Sequence, residues 1–279
     1  MAFANHIKNF AAFKKFADTN LVDLSPELND PLWKKGTKHH MIQEYRYYLV
    51  LKKIFELFPN GPKKALDLGC YPGDIGVLLN RLCVDGNTKI YGCGLNFSAE
   101  FLQQVGPYYD RMLNVELDPE NPIRCDNIPS NIDLPENSID LIIACEIFEH
   151  LYNPLHFIQE CAKLLSENGC MVLTTDNLKY IGNILGLIKN KTVFTELEGS
   201  HIFMKSEWRP HERLYLKHEL EQLFQMYGLE ITEHIFFDNR IEKYKNLSFR
   251  SWLNQKICKL FYMIPSFRPR HFCIIRKKH

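Results

Sequence analysis

Two hydrophobic rhythms divide the chain. Up to about residue 60 the apolar positions recur at helical spacing. Phe10, Phe13 and Phe16, with Lys8, Lys14 and Lys15 between them, predict an amphipathic helix over residues 5–20. Asn29-Asp30-Pro31 interrupts it, and Trp33 follows as the anchor of a polar loop. Met41, Tyr45, Tyr48, Leu51, Phe55 and Phe58 then predict a longer helix over residues 39–58, closed by Asn60-Gly61-Pro62. His39 and His40 are expected as solvated residues at its start.

From residue 61 short apolar runs alternate with amphipathic ones. Strands are predicted over residues 64–68, 89–95, 112–117, 139–145 and 170–175. Helices are predicted over residues 75–82, 98–105 and 153–166, the last with a proline in its first turn. Residues 119–135, rich in Asn, Pro and Asp, form an irregular loop. Such alternation predicts an α/β fold, a parallel sheet with helices on both faces. After Asn177 the rhythm stops, and residues 178–208 form a long insertion of helix and loop. A helix over 216–227, strands over 229–237 and 271–276, and a basic amphipathic helix over 246–263 complete the chain.

Composition adjusts this picture only slightly. Hydrophobic residues at 46% and charged residues at 24% suit a soluble globular chain. A formal net charge of +1 supplies no field for nucleic acid. The nine cysteines include no Cys-x-x-Cys pair and are expected as reduced core thiols, which implies a cytoplasmic setting. The first residues lack the apolar run of a signal peptide, and no run is long enough to span a bilayer. Arg250, Lys256 and Lys259 beside Trp252, Leu253, Leu260 and Phe261 suit peripheral contact with the inner face of a membrane. Nothing here fixes an oligomeric state.

The candidate chemistry begins at Ala65-Leu66-Asp67-Leu68-Gly69-Cys70-Tyr71-Pro72-Gly73. An apolar strand carries an acid near its end, and a glycine-bearing turn runs into a helix. That layout brings bare backbone and a helix N-terminus against a ligand. Four further segments follow in order: Tyr91-Gly92-Cys93-Gly94-Leu95-Asn96, Leu134-Pro135-Glu136-Asn137-Ser138-Ile139-Asp140, Cys145-Glu146-Ile147-Phe148-Glu149-His150-Leu151 and Leu173-Thr174-Thr175-Asp176-Asn177. The set resembles the class I S-adenosylmethionine-dependent methyltransferases, most closely the branch with D-x-G-C, E-x-x-E-H-L and T-T-x-N segments. The resemblance covers residues 60–240 and a late strand near 271–276. Arg209-Pro210-His211-Glu212-Arg213-Leu214-Tyr215, followed by Glu219-Leu220, is similar to a segment that lies over the acceptor pocket in small-molecule and sugar methyltransferases.

The resemblance implies a Rossmann-like seven-stranded sheet with its last strand antiparallel. It divides the chain into an N-terminal helical cap (1–60) and a methyltransferase domain (61–279), with residues 178–215 on the acceptor side. It implies S-adenosyl-L-methionine as cofactor, held by Asp67, Gly69, Cys70, Tyr71, Gly73, Asn96, Glu116, Cys145 and Glu146. Tyr71 stands where the family usually has Gly, and Asn96 where it usually has an acid. Glu116, Asp118 and Asp126 compete for the adenine side, with Glu116 favoured. His211 is the leading candidate for a base, with His150 and Tyr215 as further acceptor-side residues. The Glu146-x-x-Glu149-His150 spacing fits no standard metal pattern, so no metal is expected. The implied reaction is methyl transfer to oxygen of a small molecule or glycan. The alternative is a methyltransferase-like binding or scaffold module. A nicotinamide enzyme is disfavoured because G-x-G-x-x-G is missing, and base N-methylation because no Asn/Asp-Pro-Pro-Tyr/Phe segment follows strand four.

Overall fold

The computed structural model describes residues 3–21, 39–122, 127–194, 209–239 and 260–278. Trp33, Asp126 and residues 246–259 of the expected basic helix lie outside them.

Seven strands make one sheet: β1 (Lys64–Leu68), β2 (Lys89–Gly94), β3 (Arg111–Asn114), β4 (Ile139–Cys145), β5 (Leu165–Asp176), β6 (Leu229–Phe237) and β7 (Arg270–Lys277). Their order is β3-β2-β1-β4-β5-β7-β6. Only β7 is antiparallel to its neighbours. The chain leaves β1 toward β2 and β3, then returns to place β4 on the other side of β1. That reversal opens a crevice at the C-terminal strand ends, where ligands of open α/β sheets bind.

Strand residues alternate between the two faces, and both faces are covered. On β4, Leu141 and Ile143 join one core and Ile142 and Ala144 the other. On β7, Phe272 and Ile274 separate in the same way from Cys273 and Ile275. The first core is closed by α2 (Phe10–Asn20), α3 (His39–Leu57) and α4 (Asp74–Leu82). The second is closed by α6 (Pro154–Leu164) and α8 (Lys217–Gln225). Between these, α5 (Ala99–Gln104) follows β2 and α7 (Ile181–Ile188) follows β5.

Three elements differ from the sequence pattern. The expected helix over 5–20 is two: α1 (Phe3–Ile7) and α2. Asn9 takes extended backbone and its Oδ1 accepts from Ala12 N at 2.9 Å, so a local side-chain bond starts a new helix. Strand β3 ends at Asn114: Val115 N still donates to Gly94 O at the end of β2, but Glu116 N leaves the sheet and donates to Pro129 O. Strand β5 begins at Leu165, five residues before the expected start, and pairs there with Ile139 before a register shift. Gly169 lies in that stretch, and a Cβ there would stand 2.8 Å from Ile139 O.

Among the described residues no helix is long and apolar enough to cross a membrane. Leu187, Ile188, Leu260, Met263 and Ile264 are exposed. Tyr180, at the start of α7, stands 6.5 Å from Tyr262, ring to ring.

Candidate functional site

At the C-terminal strand ends lies a cavity of about 670 Å³, within the usual range for a small-molecule site. Gly69 and Tyr71 from the first turn, Gly94 to Asn96 after β2, Val115 to Leu117 after β3, and Glu146, Ile147, His150 and Leu151 after β4 line it. Ser98 and Arg209 complete the wall. Four of the five sequence segments singled out by spacing therefore contribute to one volume or stand directly behind it.

The first turn needs its glycines. Gly69 has φ +64°, and a Cβ on it would lie 2.6 Å from Ile147 Cδ1. Gly73 has φ +91° and caps α4, with Val105 Cγ1 at 2.3 Å from the place a Cβ would take. The ring of Tyr71 leans on Phe101, centroids 5.1 Å apart, so it packs beside the turn without filling it.

Asp67 does not line the cavity. Its Oδ2 accepts from the Tyr109 hydroxyl at 2.9 Å, and the Gly76 amide also donates to it. Burial raises its pKa to about 7, against the opposing effect of those two donors. This carboxyl staples the turn from beneath. Cys70, Gly73 and Cys145 likewise stand off the cavity wall. Burial pushes both thiols up, that of Cys145 to about 12, so they behave as core groups.

Glu146 is the charged hub. It has φ +55° at the end of β4 and faces the cavity. Its carboxylate accepts from Thr174 Oγ1 at 3.0 Å and from Arg270 Nε at 2.5 Å. Arg46 Nη1 of α3 stands 3.2 Å away. Burial opposes ionisation, but Arg270 and Arg46 outweigh it and hold Glu146 down at about 2. Arg46 itself is buried, and its Nε and Nη1 make no hydrogen bond among the described residues. Nothing in the local sequence pattern of α3 marked this residue.

On the opposite wall Glu116 meets Arg209 in a two-pronged ion pair, Nη1 to Oε1 at 3.0 Å and Nη2 to Oε2 at 2.6 Å. The favoured adenine-side acid is therefore not a free carboxylate. Asp118 is fully buried and accepts from Tyr152 N at 2.7 Å, Asn153 N at 3.0 Å and Asn121 Nδ2 at 2.8 Å. It ties the loop after β3 to the loop after β4 and is not available to a ligand. Asn96 lines the cavity with φ +45°, its amide held by Asn114 Oδ1 at 2.9 Å.

The acceptor-side residues split. His150 lines the cavity, and its Nδ1 lies 2.7 Å from the Arg209 carbonyl oxygen. A carbonyl only accepts, so Nδ1 carries a proton and Nε2 is left to face other partners. His211 packs edge-on against it, ring centroids 4.6 Å apart, with Nδ1 3.3 Å from Asp176 Oδ2. Beneath them Glu149 is buried and accepts from Thr175 Oγ1 at 2.8 Å. Burial and the charge of Glu146 raise its pKa to about 8. Tyr215 is in neither place. It is fully buried, 4.9 Å from Phe148 ring to ring, and its hydroxyl has no partner among the described residues. It is a core residue that anchors the 209–215 segment, through a bridge to Asn177.

A protein-family model described as a methyltransferase domain matches residues 38–234. A ubiquinone biosynthesis O-methyltransferase of Rhodopseudomonas palustris (strain BisB5) is 30% identical over 75% of this chain and 78% of its own. A protein of Mycobacterium tuberculosis, described as a probable S-adenosylmethionine-dependent methyltransferase, is 27% identical over 94 residues. The chain spans 34% of the length of that relative. Among solved structures, an S-adenosylmethionine-dependent methyltransferase from Clostridium acetobutylicum superposes with a TM-score of 0.52 at 12% identity, covering 96% of this chain and 99% of that one. Strand order, the single antiparallel strand and a family match over more than half the residues agree: the chain belongs to the class I S-adenosylmethionine-dependent methyltransferases.

Proposed function

We propose that this chain moves a methyl group from S-adenosylmethionine to a hydroxyl oxygen of a small molecule or glycan. The observation that carries the reading is the convergence of three of the ordered sequence segments, with Arg209, on one cavity at the strand ends. The 30% identity to a ubiquinone biosynthesis O-methyltransferase favours oxygen as the acceptor atom.

The residues present fit the donor. Its carboxylate matches the buried guanidinium of Arg46, whose Nε makes no hydrogen bond among the described residues and which stands beside the cavity residue Glu146. Gly69 lets bare backbone reach the amino-acid end, and the ionised Glu146 carboxylate complements the ammonium. Asn96, with both a donor and an acceptor, suits the ribose hydroxyls. Leu95, Val115, Leu117 and Leu151 give the adenine an apolar slot, bounded by the Arg209–Glu116 pair.

Bound S-adenosylmethionine supplies a methyl group on a cationic sulfur, so a C–O bond forms as the C–S bond breaks. The chain's task is alignment and handling of one proton. Holding acceptor oxygen and methyl in line removes up to roughly 7–11 kcal/mol of barrier. The acceptor proton leaves on the side of His150 and His211, the polar groups at that rim. Peripheral membrane contact through residues 246–263 belongs to the same proposal and is read by flotation with anionic vesicles.

Titration of the full chain with S-adenosylhomocysteine, followed by turnover of methyl-labelled donor with phenolic, catecholic and glycan acceptors, tests this reading. Calorimetric binding and label in one acceptor class support it. Binding without turnover in any class favours the scaffold alternative. Absence of binding at millimolar ligand ends the donor assignment.

A further inference from the structure

We propose that Arg209 is a positioning residue that couples occupancy of the nucleoside end of the cavity to closure of the 209–215 segment over the acceptor side. The proposal deepens the methyltransferase reading and rests on it.

One residue joins two walls. The Arg209 side chain reaches the loop after β3, where Nη1 meets Glu116 Oε1 at 3.0 Å and Nη2 meets Oε2 at 2.6 Å. Its carbonyl oxygen accepts from His150 Nδ1 at 2.7 Å, on the turn after β4. The residues that follow are tied to the ends of β4 and β5. Glu212 N donates to Glu149 O at 2.8 Å, Arg213 N to Glu149 O at 3.2 Å and Tyr215 N to Asp176 O at 3.4 Å. The segment thus spans β4 and β5 by main-chain bonds, and the Arg209 side chain carries it on to the loop after β3.

Charge makes this link hard to open. The Glu116 and Arg209 side chains are 4% and 11% exposed, and Asp118, 3.8 Å from Arg209 Nη1, is fully buried. Among the described residues no other lysine or arginine pairs with either acid. Asp118 is fixed by Tyr152 N, Asn153 N and Asn121 Nδ2, so it does not swing out to water. When the segment lifts, two buried carboxylates lose one shared counter-ion, and breaking a buried pair from one side is strongly unfavourable.

A nucleoside biases the pair. Val115, Glu116, Leu117 and Arg209 all line the cavity. Glu116 Oε1 accepts from Arg209 Nη1 and from the Asp118 amide at 2.9 Å, whereas Oε2 accepts only from Nη2 among the described residues. Each carboxylate oxygen offers two lone pairs, so Oε2 keeps one for the exocyclic amine of a purine. A base seated there meets Glu116 and Arg209 as a pair, and binds less well once Arg209 has left. Ligand and closed segment therefore stabilise each other by the same factor. The reaction gains an order of events: the donor seats, the 209–215 segment closes, and His150 and His211 are set before the acceptor oxygen meets the methyl group. The sequence conceals this link because its two ends lie 93 residues apart.

Amide hydrogen exchange of the full chain, resolved at Glu212, Arg213 and Tyr215, tests the coupling with 5′-methylthioadenosine. This probe carries adenine and ribose without the amino-acid end, so its effect is exerted away from Glu146 and Arg46. At saturating probe the three amides of the wild-type chain should slow about 5–150-fold, the usual range of coupling between sites. Arg209→Lys keeps the charge but loses the fork. The double variant Glu116→Gln/Arg209→Gln exchanges the ion pair for two neutral amides. Both, saturated with the same probe, should lose the slowing while circular dichroism stays unchanged. Arg111→Gln, which breaks an exposed ion pair with Asp133, keeps it in full. A residue that only braces the wall would leave the effect of the probe intact in both variants, and that result overturns the proposal. Calorimetry separates the two readings. Probe binding to the wild-type chain without slower exchange defeats the coupling alone. Absence of probe binding at millimolar concentration defeats the methyltransferase reading and the coupling with it.

Discussion

Arg46→Gln probes the donor site at a residue no motif contains. The wild-type guanidinium is buried; its Nε makes no hydrogen bond among the described residues, and its Nη1 is ion-paired with Glu146 Oε2 at 3.2 Å. A hydrogen bond to a charged group contributes about 1.5–3 kcal/mol. Losing one such bond to the donor carboxylate weakens binding by about 10–150-fold. Glu146 keeps Arg270 and Thr174 in the variant, so its charge and place persist. Two ligands separate carboxylate recognition from a general disturbance. S-adenosylhomocysteine carries the amino-acid end, and 5′-methylthioadenosine lacks it. Calorimetry on both proteins should show the full loss for the first ligand and none for the second. Equal weakening of both ligands would mean that the substitution disturbs the cavity as a whole. Unchanged affinity for S-adenosylhomocysteine would refute the carboxylate assignment outright.

Three further outcomes follow from buried polar groups. Tyr215→Phe removes a hydroxyl that has no partner among the described residues, so it should preserve turnover and raise stability by up to about 1–3 kcal/mol in thermal unfolding; lost turnover in a folded variant would return Tyr215 to the reaction. Tyr109→Phe takes the hydroxyl from Asp67 and should cost about 1–3 kcal/mol, seen as a lower denaturant midpoint at pH 8, where that carboxyl is ionised. His271 donates from Nε2 to the Tyr215 carbonyl and contacts His234 through Nδ1, and burial lowers the two pKa values to about 4 and about 3. The unfolded chain binds more protons than the folded one below the ordinary histidine value of about 6.5. Their contribution is therefore complete above about pH 6.5 and is lost as pH falls toward 4 and then 3. It is on the order of 3 kcal/mol for His271, and urea unfolding of His271→Gln against wild type between pH 7 and 4 should show a shallower acid slope.

The sheet was legible because its signals are local. Five apolar runs and the turn at Gly69–Gly73 each lie within a few residues of chain, and the parallel order follows from helices between strands. Asn96, Glu146 and His150 were legible for the same reason, since they sit directly after strand ends. What escaped depends on distant partners. Arg46 reaches Glu146 across the fold, and Tyr109 reaches Asp67 from the loop before β3. Arg209 saturates Glu116, which spacing alone offers as a free acid. Tyr215 shares a segment with His211, yet its ring packs against Phe148 in the core, a long-range contact that the local pattern does not record.

Glu146 also says where this chain can be cut. Its carboxylate is gripped by Arg46 from α3 and by Arg270 from β7, elements that fall outside the motif-bearing stretch between Leu66 and Asn177. A fragment trimmed to that stretch would keep every recognisable segment and still strand a buried anion at the cavity wall. Neither arginine belongs to a signature, yet each works as a fastener for one. The smallest functional unit is therefore set by a charge balance spanning α3 to β7, and a deletion series from the N-terminal side through α3 should lose ligand affinity before it loses the sheet.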